Sequence, residues 1–492
     1  MKRLIPIILA LVVLHFMSAS VYADELPDVF ALDREEQKKA FEKFKPLAEQ
    51  GDAKAQYVFG LLHFGLEGME YNKRKTEAYK WIRLAAEQGL VKAQFEVGMQ
   101  YDLFSGGGLN NKEEAIKWYK LAAQQGHVIA PYKIGNIYIS TVPVDFKEGI
   151  KWLKISAELG YATAQYRLGQ LYASGKPYIQ DYFVQDYKEA VKWFKMAARQ
   201  KDVTGQVELG YMYLKGTGVR QDFKEAFKLF KLAAEQGALE AQYELGDAYY
   251  FGRGVTQDYK EAFKWIMESA EGGHAPAQLD LGIMYLKGKA ITKNYKEAVK
   301  WLKKSADQMY SGARAQYYLG LLYEDGIGVT QDYEEAVKWF KMAVKYGHDQ
   351  ALESLGNMYL NGQGVLQDYQ EAFKLFKNSA ERGYVHGQGK LGFMYKEGKG
   401  VAQDYKEAVK WLKLAAEQGL NIAQSSLAFL YIDGKGVLQN YIQAHKWSNI
   451  AGAAGNKNAL ELRELIEQKM TSDQIAEAQK LARKWMEEHG EK

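Results

Sequence analysis

The side chains of this chain that could do chemistry are histidines, paired glycines, carboxylates and tyrosines, because none of its 492 residues is cysteine. That absence excludes thiolate nucleophiles, thiolate metal sites and a disulfide framework. Eight histidines are scattered along the chain, His15 among them in the N-terminal apolar run. His127, His274 and His348 each follow a helix-ending glycine and read as loop or surface residues, too far apart in an extended array to share a metal. No histidine–glutamate pair has zincin spacing, and no serine sits in a nucleophile elbow. The glycine pairs, such as Gly216-Thr217-Gly218 and Gly398-Lys399-Gly400, lack the preceding strand and the lysine–serine/threonine partner of a phosphate loop. Paired carboxylates suit glycoside cleavage, but the recurrent aspartates here have a helix-capping job and stand one repeat apart. The expectation is therefore no catalytic residue, no metal site, no cofactor and no enzyme activity.

Charge points the same way. Lys+Arg number 65 and Asp+Glu 61, a net charge of +4 that becomes +2 without Lys2 and Arg3. Acid and base are interleaved, as on a solvated helical surface, which argues against a nucleic-acid partner.

What positions these residues is a repeat. A tryptophan recurs at Trp81, Trp118, Trp152, Trp193, Trp265, Trp301, Trp339, Trp411 and Trp447, with Leu229 and Leu375 in the two gaps. A second register runs through Gly60, Gly98, Gly135, Gly169, Gly210, Gly246, Gly282, Gly320, Gly356, Gly392 and Ala428. Both drift together with steps of 34 to 41 residues, most of them 36, over about eleven copies. Such a period means a solenoid, propeller or array.

Each copy reads as helix A, turn, helix B. In the sixth, Ala241, Leu245 and Tyr249 form one apolar face of helix A. Gly246 in mid-helix costs about 1 kcal/mol against alanine, so a neighbouring helix backbone is expected to approach it closely. Gly252 to Val255 make the turn. Helix B opens with Asp258 as N-cap and Glu261 three residues on, the pattern of a capping box. The pair recurs at Asp145/Glu148, Asp186/Glu189, Asp222/Glu225, Asp332/Glu335, Asp368/Glu371 and Asp404/Glu407. Glycines such as Gly237, Gly273 and Gly419 end helix B. The tryptophans, with Gly210, Gly246 and Gly282, are assigned structural roles, and Trp265→Ala is expected to cost several kcal/mol. The recurrent tyrosines, such as Tyr243, Tyr249 and Tyr259, are read as structural too.

The irregular copies are the third, with Thr141-Val142-Pro143-Val144 in place of the glycine turn; the fourth, with a doubled Gln180-Asp181-Tyr182 and Gln185-Asp186-Tyr187; and the seventh, with Met309 in place of the terminal glycine. They are read either as loop drift or as one binding face.

The ends differ. Lys2 and Arg3 precede an apolar run from Leu4 to Met17, and Val21 and Ala23 precede Asp24-Glu25. This reads as a signal peptide over residues 1–23, with an uncleaved anchor as the alternative. The run is short of the ~20 residues a spanning helix needs, and the mature chain is expected to hold no transmembrane segment. Residues 24–52 are assigned to an N-terminal capping helix, 53–455 to the repeats and 456–492 to C-terminal capping helices, with Ser472 as an N-cap and Trp485 packed on the last repeat.

Against the constant frame, one face of helix A varies. Successive copies place Glu96, Lys133, Arg167, Glu208, Glu244 and Asp280 at one register position, and Tyr211 and Asp247 at another. The candidates for binding a protein partner are the acidic Glu208, Glu244, Asp247 and Asp280, the aromatic Tyr211, and the basic Lys133 and Arg167.

The runs Ala241-Gln242-Tyr243, Leu245-Gly246 and Asp258-Tyr259 with Glu261-Ala262 and Trp265 resemble the Sel-one-like repeat family, a relative of the tetratricopeptide repeat. The resemblance covers roughly residues 41 to 455. It implies an all-α, right-handed α/α superhelical solenoid of helix–turn–helix repeats. It also implies an adaptor exported to the periplasm or extracellular space, some relatives of which act in host interaction. A protein or peptide is the expected partner. Two alternatives are a periplasmic binder of peptidoglycan or another envelope glycan, and a cell-envelope hydrolase. One cysteine-rich branch of the family is linked to β-lactam chemistry, and this chain lacks that branch's cysteines.

Overall fold

The computed structural model describes residues 29, 31–65, 70–103, 109–141, 144–175, 185–308 and 312–489. The expected signal peptide, Val142-Pro143, the first Gln-Asp-Tyr of the fourth repeat and Met309 lie outside the described residues. The chain divides into two compact halves, residues 1–229 and 230–492.

The fold is an all-α repeat solenoid of helix–turn–helix units, with no sheet among the described residues. A helix at Arg34–Glu49 comes first. In the N-terminal half the A and B helices of the first four repeats are Ala53–Gly65 and Tyr71–Glu87, Val91–Leu103 and Leu109–Gln124, Ala130–Ser140 and Phe146–Glu158, and Ala162–Ser174 and Tyr187–Arg199. The fifth pair is Val203–Lys215 and Phe223–Ala234. In the C-terminal half the pairs run from Leu239–Phe251 and Tyr259–Glu271 in the sixth repeat to Asn421–Asp433 and Tyr441–Ala453 in the eleventh. Helices Lys457–Glu467 and Ser472–His489 follow.

The mid-helix glycine has a specific neighbour. A Cβ added at Gly246 would meet Ile266 Cγ1 at 2.6 Å and the Ala262 carbonyl oxygen at 3.1 Å. The approach is thus to helix B of the same repeat, side chain first and backbone second. The residue that fills the notch is the one after the tryptophan register. It recurs as Ile82 against Gly60, Leu153 against Gly135, Phe194 against Gly169, Leu302 against Gly282, Phe340 against Gly320 and Leu412 against Gly392. The eleventh repeat reverses the sizes, with Ala428 and Ser448 at these positions, both fully buried.

The tryptophans lie one position over and bridge to the preceding repeat. Trp193 packs with Leu153, Ala157 and Leu168, and Trp301 with Ile266, Ala270 and Leu281. Trp193, Trp301 and Trp447 are buried; Trp81, Trp118, Trp152, Trp265, Trp339 and Trp411 are half-buried. Gly210 is buried as well.

The helix B starts differ from the capping-box pattern. Asp258 accepts from the Lys260 and Glu261 amides, as an N-cap should. Its own amide, however, already donates to the Tyr249 carbonyl at 3.0 Å. The same bond joins Asp145 to Tyr138, Asp186 to Tyr172, Asp332 to Tyr323, Asp368 to Tyr359 and Asp404 to Tyr395. With that donor used, the glutamate three residues on turns to lysine instead, as in Lys192–Glu189 and Lys410–Glu407. Where a glutamine precedes the cap it secures the turn: Gln257 Nε2 donates to the Tyr250 carbonyl at 2.8 Å, and Gln367 to that of Leu360 at 2.9 Å. Reciprocal capping boxes stand at the two ends. Asp33 pairs with Glu36, and Thr471 with Gln474. Thr471, not Ser472, therefore caps the last helix, whose Trp485 packs on Trp447 with ring centroids 6.0 Å apart.

A second recurrent polar element was not foreseen. The glutamine after the first alanine of helix A is buried, and its amide ties successive repeats together. Gln94 Nε2 donates to the Ala86 carbonyl and Gln165 Nε2 to that of Ala157. Gln125 and Gln200 then donate to their side-chain oxygens. Buried polar groups need such partners, and these span from one repeat to the next.

Candidate protein-binding surface on the A helices

All seven binding candidates sit on A helices and are half-buried. The reason is periodic. Each flanks the buried stripe that faces helix B, so its side chain stands at the edge of that stripe.

In the C-terminal half this places Glu244, Asp247 and Asp280 on one surface. They are not bare charges. Tyr243 Oη donates to Asp280 Oδ2 at 2.9 Å, and Arg253 Nη1 to Asp247 Oδ2 at 2.8 Å. Burial pushes the Asp280 carboxyl up, opposed by the Tyr243 hydrogen bond and by Arg314 and Lys287. Burial also pushes Asp247 up, opposed by Arg253 and reinforced by Asp280. The Tyr243 hydroxyl is itself held far above its ordinary range, by burial and then by Asp280.

In the N-terminal half the same register runs Glu96, Lys133, Arg167, Glu208. Burial raises the Glu96 carboxyl to about 7. Burial lowers the Lys133 ammonium, with Asp102 opposing and Lys112 reinforcing. Glu208 acts on the Tyr166 hydroxyl, which burial raises first. Tyr211 carries the Lys215 ammonium 5.3 Å from its ring centre. Glu208 belongs to this half, and Glu244 and Asp280 to the other.

Between the A helices of the third and fourth repeats lies a cleft of about 380 Å³, lined by Tyr132, Asn136, Ile139, Thr163, Tyr166 and Arg167, with Ser140 and Gln170. The third repeat's helix A has 11 residues where the fourth's has 13. The shortfall is at its N-terminal end, since both helices stop five residues after the register glycine, and its last turn gives Ile139 and Ser140 to one wall. Arg167 falls in the cleft; Lys133 does not line it and is turned toward Asp102 and Lys112 of the second repeat. The sequence register found Arg167 but gave no signal of a cavity.

The three helix-ending histidines are half-buried rather than exposed. His127 stacks on Phe95 at 4.2 Å and His348 on Tyr317 at 4.4 Å, and His274 lies 5.2 Å from the Tyr243 ring. Burial lowers all three, His127 to about 4. Among the described residues no group of three carboxylates and histidines is placed to hold a metal ion. No described helix is long and apolar enough to cross a membrane.

A constant helix-pair frame with a variable A face defines a repeat-type protein-interaction scaffold, a class that is typically non-catalytic. The Sel1 repeat matches residues 53–90, 91–127, 132–161, 162–202, 203–237, 239–274, 275–308, 313–348, 349–384, 385–420 and 421–456. The chain belongs to the Sel1 repeat family.

Two solved structures are similar to it. One is a protective antigen present in uropathogenic Escherichia coli strains and displaying an SLR fold. It is 34% identical over 91% of this chain and 95% of that one, with a TM-score of 0.77. The other is a Sel1 repeat protein from Oxalobacter formigenes, 31% identical over 68% of this chain and 93% of that one, with a TM-score of 0.52. Comparison with the curated proteins found no match.

Proposed function

We propose that this chain is an exported adaptor of the bacterial envelope or extracellular space, which holds a protein partner against its A helices and serves in contact with a host. The observation that carries the reading is the concentration of variable, half-buried polar side chains on helix A, over a frame whose other recurrent positions have structural work. The relative that is a protective antigen of uropathogenic strains supports exposure to a host.

The test is affinity capture with the chain from Asp24 to Lys492, using envelope and host lysates. Glu208→Lys, Glu244→Lys and Asp280→Lys are then introduced. The expected result is a partner whose binding falls while the melting temperature holds. Unchanged binding in all three, and in Arg167→Glu, would remove the A face from recognition. Retention on purified cell wall with no protein captured would favour an envelope glycan.

A further inference from the structure

The cleft between the third and fourth A helices differs from its counterparts in how its register positions are filled. In the sixth and seventh repeats, Tyr243 reaches across to hydrogen-bond Asp280. In the eighth and ninth, Tyr317 is hydrogen-bonded to Ser354. These bonds tie neighbouring A helices together across the groove. In the third and fourth repeats the corresponding pair is Tyr132 and Arg167, with no hydrogen bond between them among the described residues. Tyr132 turns to Tyr161 instead, with ring centroids 5.2 Å apart. The groove stays open, and a guanidinium stands in it.

That guanidinium is positioned but not neutralised. Arg167 Nη1 donates to Gln170 Oε1 at 3.2 Å, and Gln170 Nε2 donates to the Tyr166 hydroxyl. An amide oxygen orients the fork without consuming its charge. An arginine fork in a partly desolvated cleft is suited to bidentate carboxylate recognition. The cleft volume of about 380 Å³ lies near the lower end of the ~300–1,000 Å³ typical of ligand sites. Ile139 and the two tyrosines supply apolar surface, and Asn136, Ser140 and Thr163 supply polar contacts.

The charges around the cleft select among carboxylates. Along the helix A register the signs run negative, positive, positive, negative, through Glu96, Lys133, Arg167 and Glu208. A polyanionic glycan would meet the Glu208 carboxylate, which acts on Tyr166 in the cleft wall. A peptide bearing charges of both signs would not.

We infer that this cleft recognises an internal aspartate or glutamate side chain of an extended peptide segment, with the Arg167 guanidinium as the group that holds the carboxylate. This rests on the adaptor reading above and names the class of segment its partner presents.

The test uses fluorescence anisotropy with the chain from Asp24 to Lys492 and four labelled probes. They are a capped serine–alanine octapeptide with one central glutamate, the same peptide with glutamine, a neutral octapeptide with a free C-terminal carboxylate, and an oligogalacturonate. The glutamate peptide should bind about tenfold tighter than the glutamine peptide, as a charge-assisted pair implies. Arg167→Met should abolish that preference without changing the circular dichroism spectrum or melting temperature. Arg167→Lys should retain part of it. Equal binding of the glutamate and glutamine peptides would overturn the inference. So would a preference that survives Arg167→Met, or binding confined to the free C-terminus or the oligogalacturonate. In any of those cases, release of a captured partner by Glu244→Lys or Asp280→Lys would keep the adaptor reading, and a partner that no A-helix substitution disturbs would end both.

Discussion

Lys201 ends helix B of the fourth repeat where other repeats have glycine, and its φ is +63°. The glycines at that point have positive φ too, and nothing lies within 4 Å of an added Cβ at Gly237, Gly347 or Gly419. The cost at Lys201 is therefore one of backbone conformation alone, roughly 1 kcal/mol for a side chain held left-handed. Part of that returns through the looser unfolded chain of a glycine. Lys201→Gly should raise stability by about 0.5 kcal/mol, seen as a higher urea midpoint at unchanged slope. Glu96 is a different kind of residue-level strain. Its carboxyl is raised from 4.5 to about 7 by burial among repeats one and two. Between these values the folded chain keeps a proton that the unfolded chain has released, so stability falls as pH rises through the window and levels off above it. Glu96→Gln should flatten that slope. Because Glu96 is only half-buried by area, the gain at pH 8 should be on the order of 2 kcal/mol rather than the full shift, and near zero at pH 4. Unfolding of both proteins at the two pH values measures it.

At the scale of the helix pair, the notch and its filler make a prediction opposite to helix propensity. Alanine is intrinsically better than glycine in mid-helix by about 1 kcal/mol. Gly246→Ala should nevertheless destabilise by about 1–3 kcal/mol, because the new methyl has no room beside Ile266 and the Ala262 carbonyl. Adding Ile266→Ala should relieve part of that loss, giving a coupling above about 0.5 kcal/mol in a double-mutant cycle. The helix B start makes a second prediction. Asp258→Ala should cost about 1 kcal/mol, while Glu261→Ala should cost under about 0.5 kcal/mol, because Glu261 does not complete a capping box. Thermal melts of the two variants separate the cases. These elements also show what was legible in the sequence. Helix pairs, N-caps and terminal glycines each leave a local mark at a fixed offset, so the frame was readable. The partner of Gly246 was not, because the position of Ile266 varies between copies as Ile, Leu, Phe, Tyr or Ser, while the neighbouring register is tryptophan in all but two copies. The glutamine bridges escaped because glutamine on an amphipathic helix looks like a solvated residue until its neighbour's carbonyl is located. The cleft escaped because it depends on which side chains fail to meet across neighbouring helices.

Across the C-terminal half, stability should behave as a sum of nearest-neighbour terms, since each helix pair buries its apolar faces only against adjacent pairs. The tryptophan and glutamine bridges have that range: Trp301 packs on Ile266 and Ala270 of the preceding repeat, and Gln278 donates to the Ala270 carbonyl of that same repeat. No bridge of either kind skips a repeat among those described. A local lesion should therefore stay local. In Gly246→Ala, amide hydrogen exchange should speed up in Leu239–Phe251, Tyr259–Glu271 and Ala275–Lys287. Asn421–Asp433 and Tyr441–Ala453, held by the terminal helices and the Trp447–Trp485 contact, should keep the protection they have in the parent chain. If protection in the eleventh repeat fell as far as in the sixth, the half would be opening as one cooperative block, and the nearest-neighbour account of its stability would fail. The distinction bears on recognition. A chain that opens locally can alter one stretch of its A face while the rest stays in register, whereas a cooperative block must present all of that face or none.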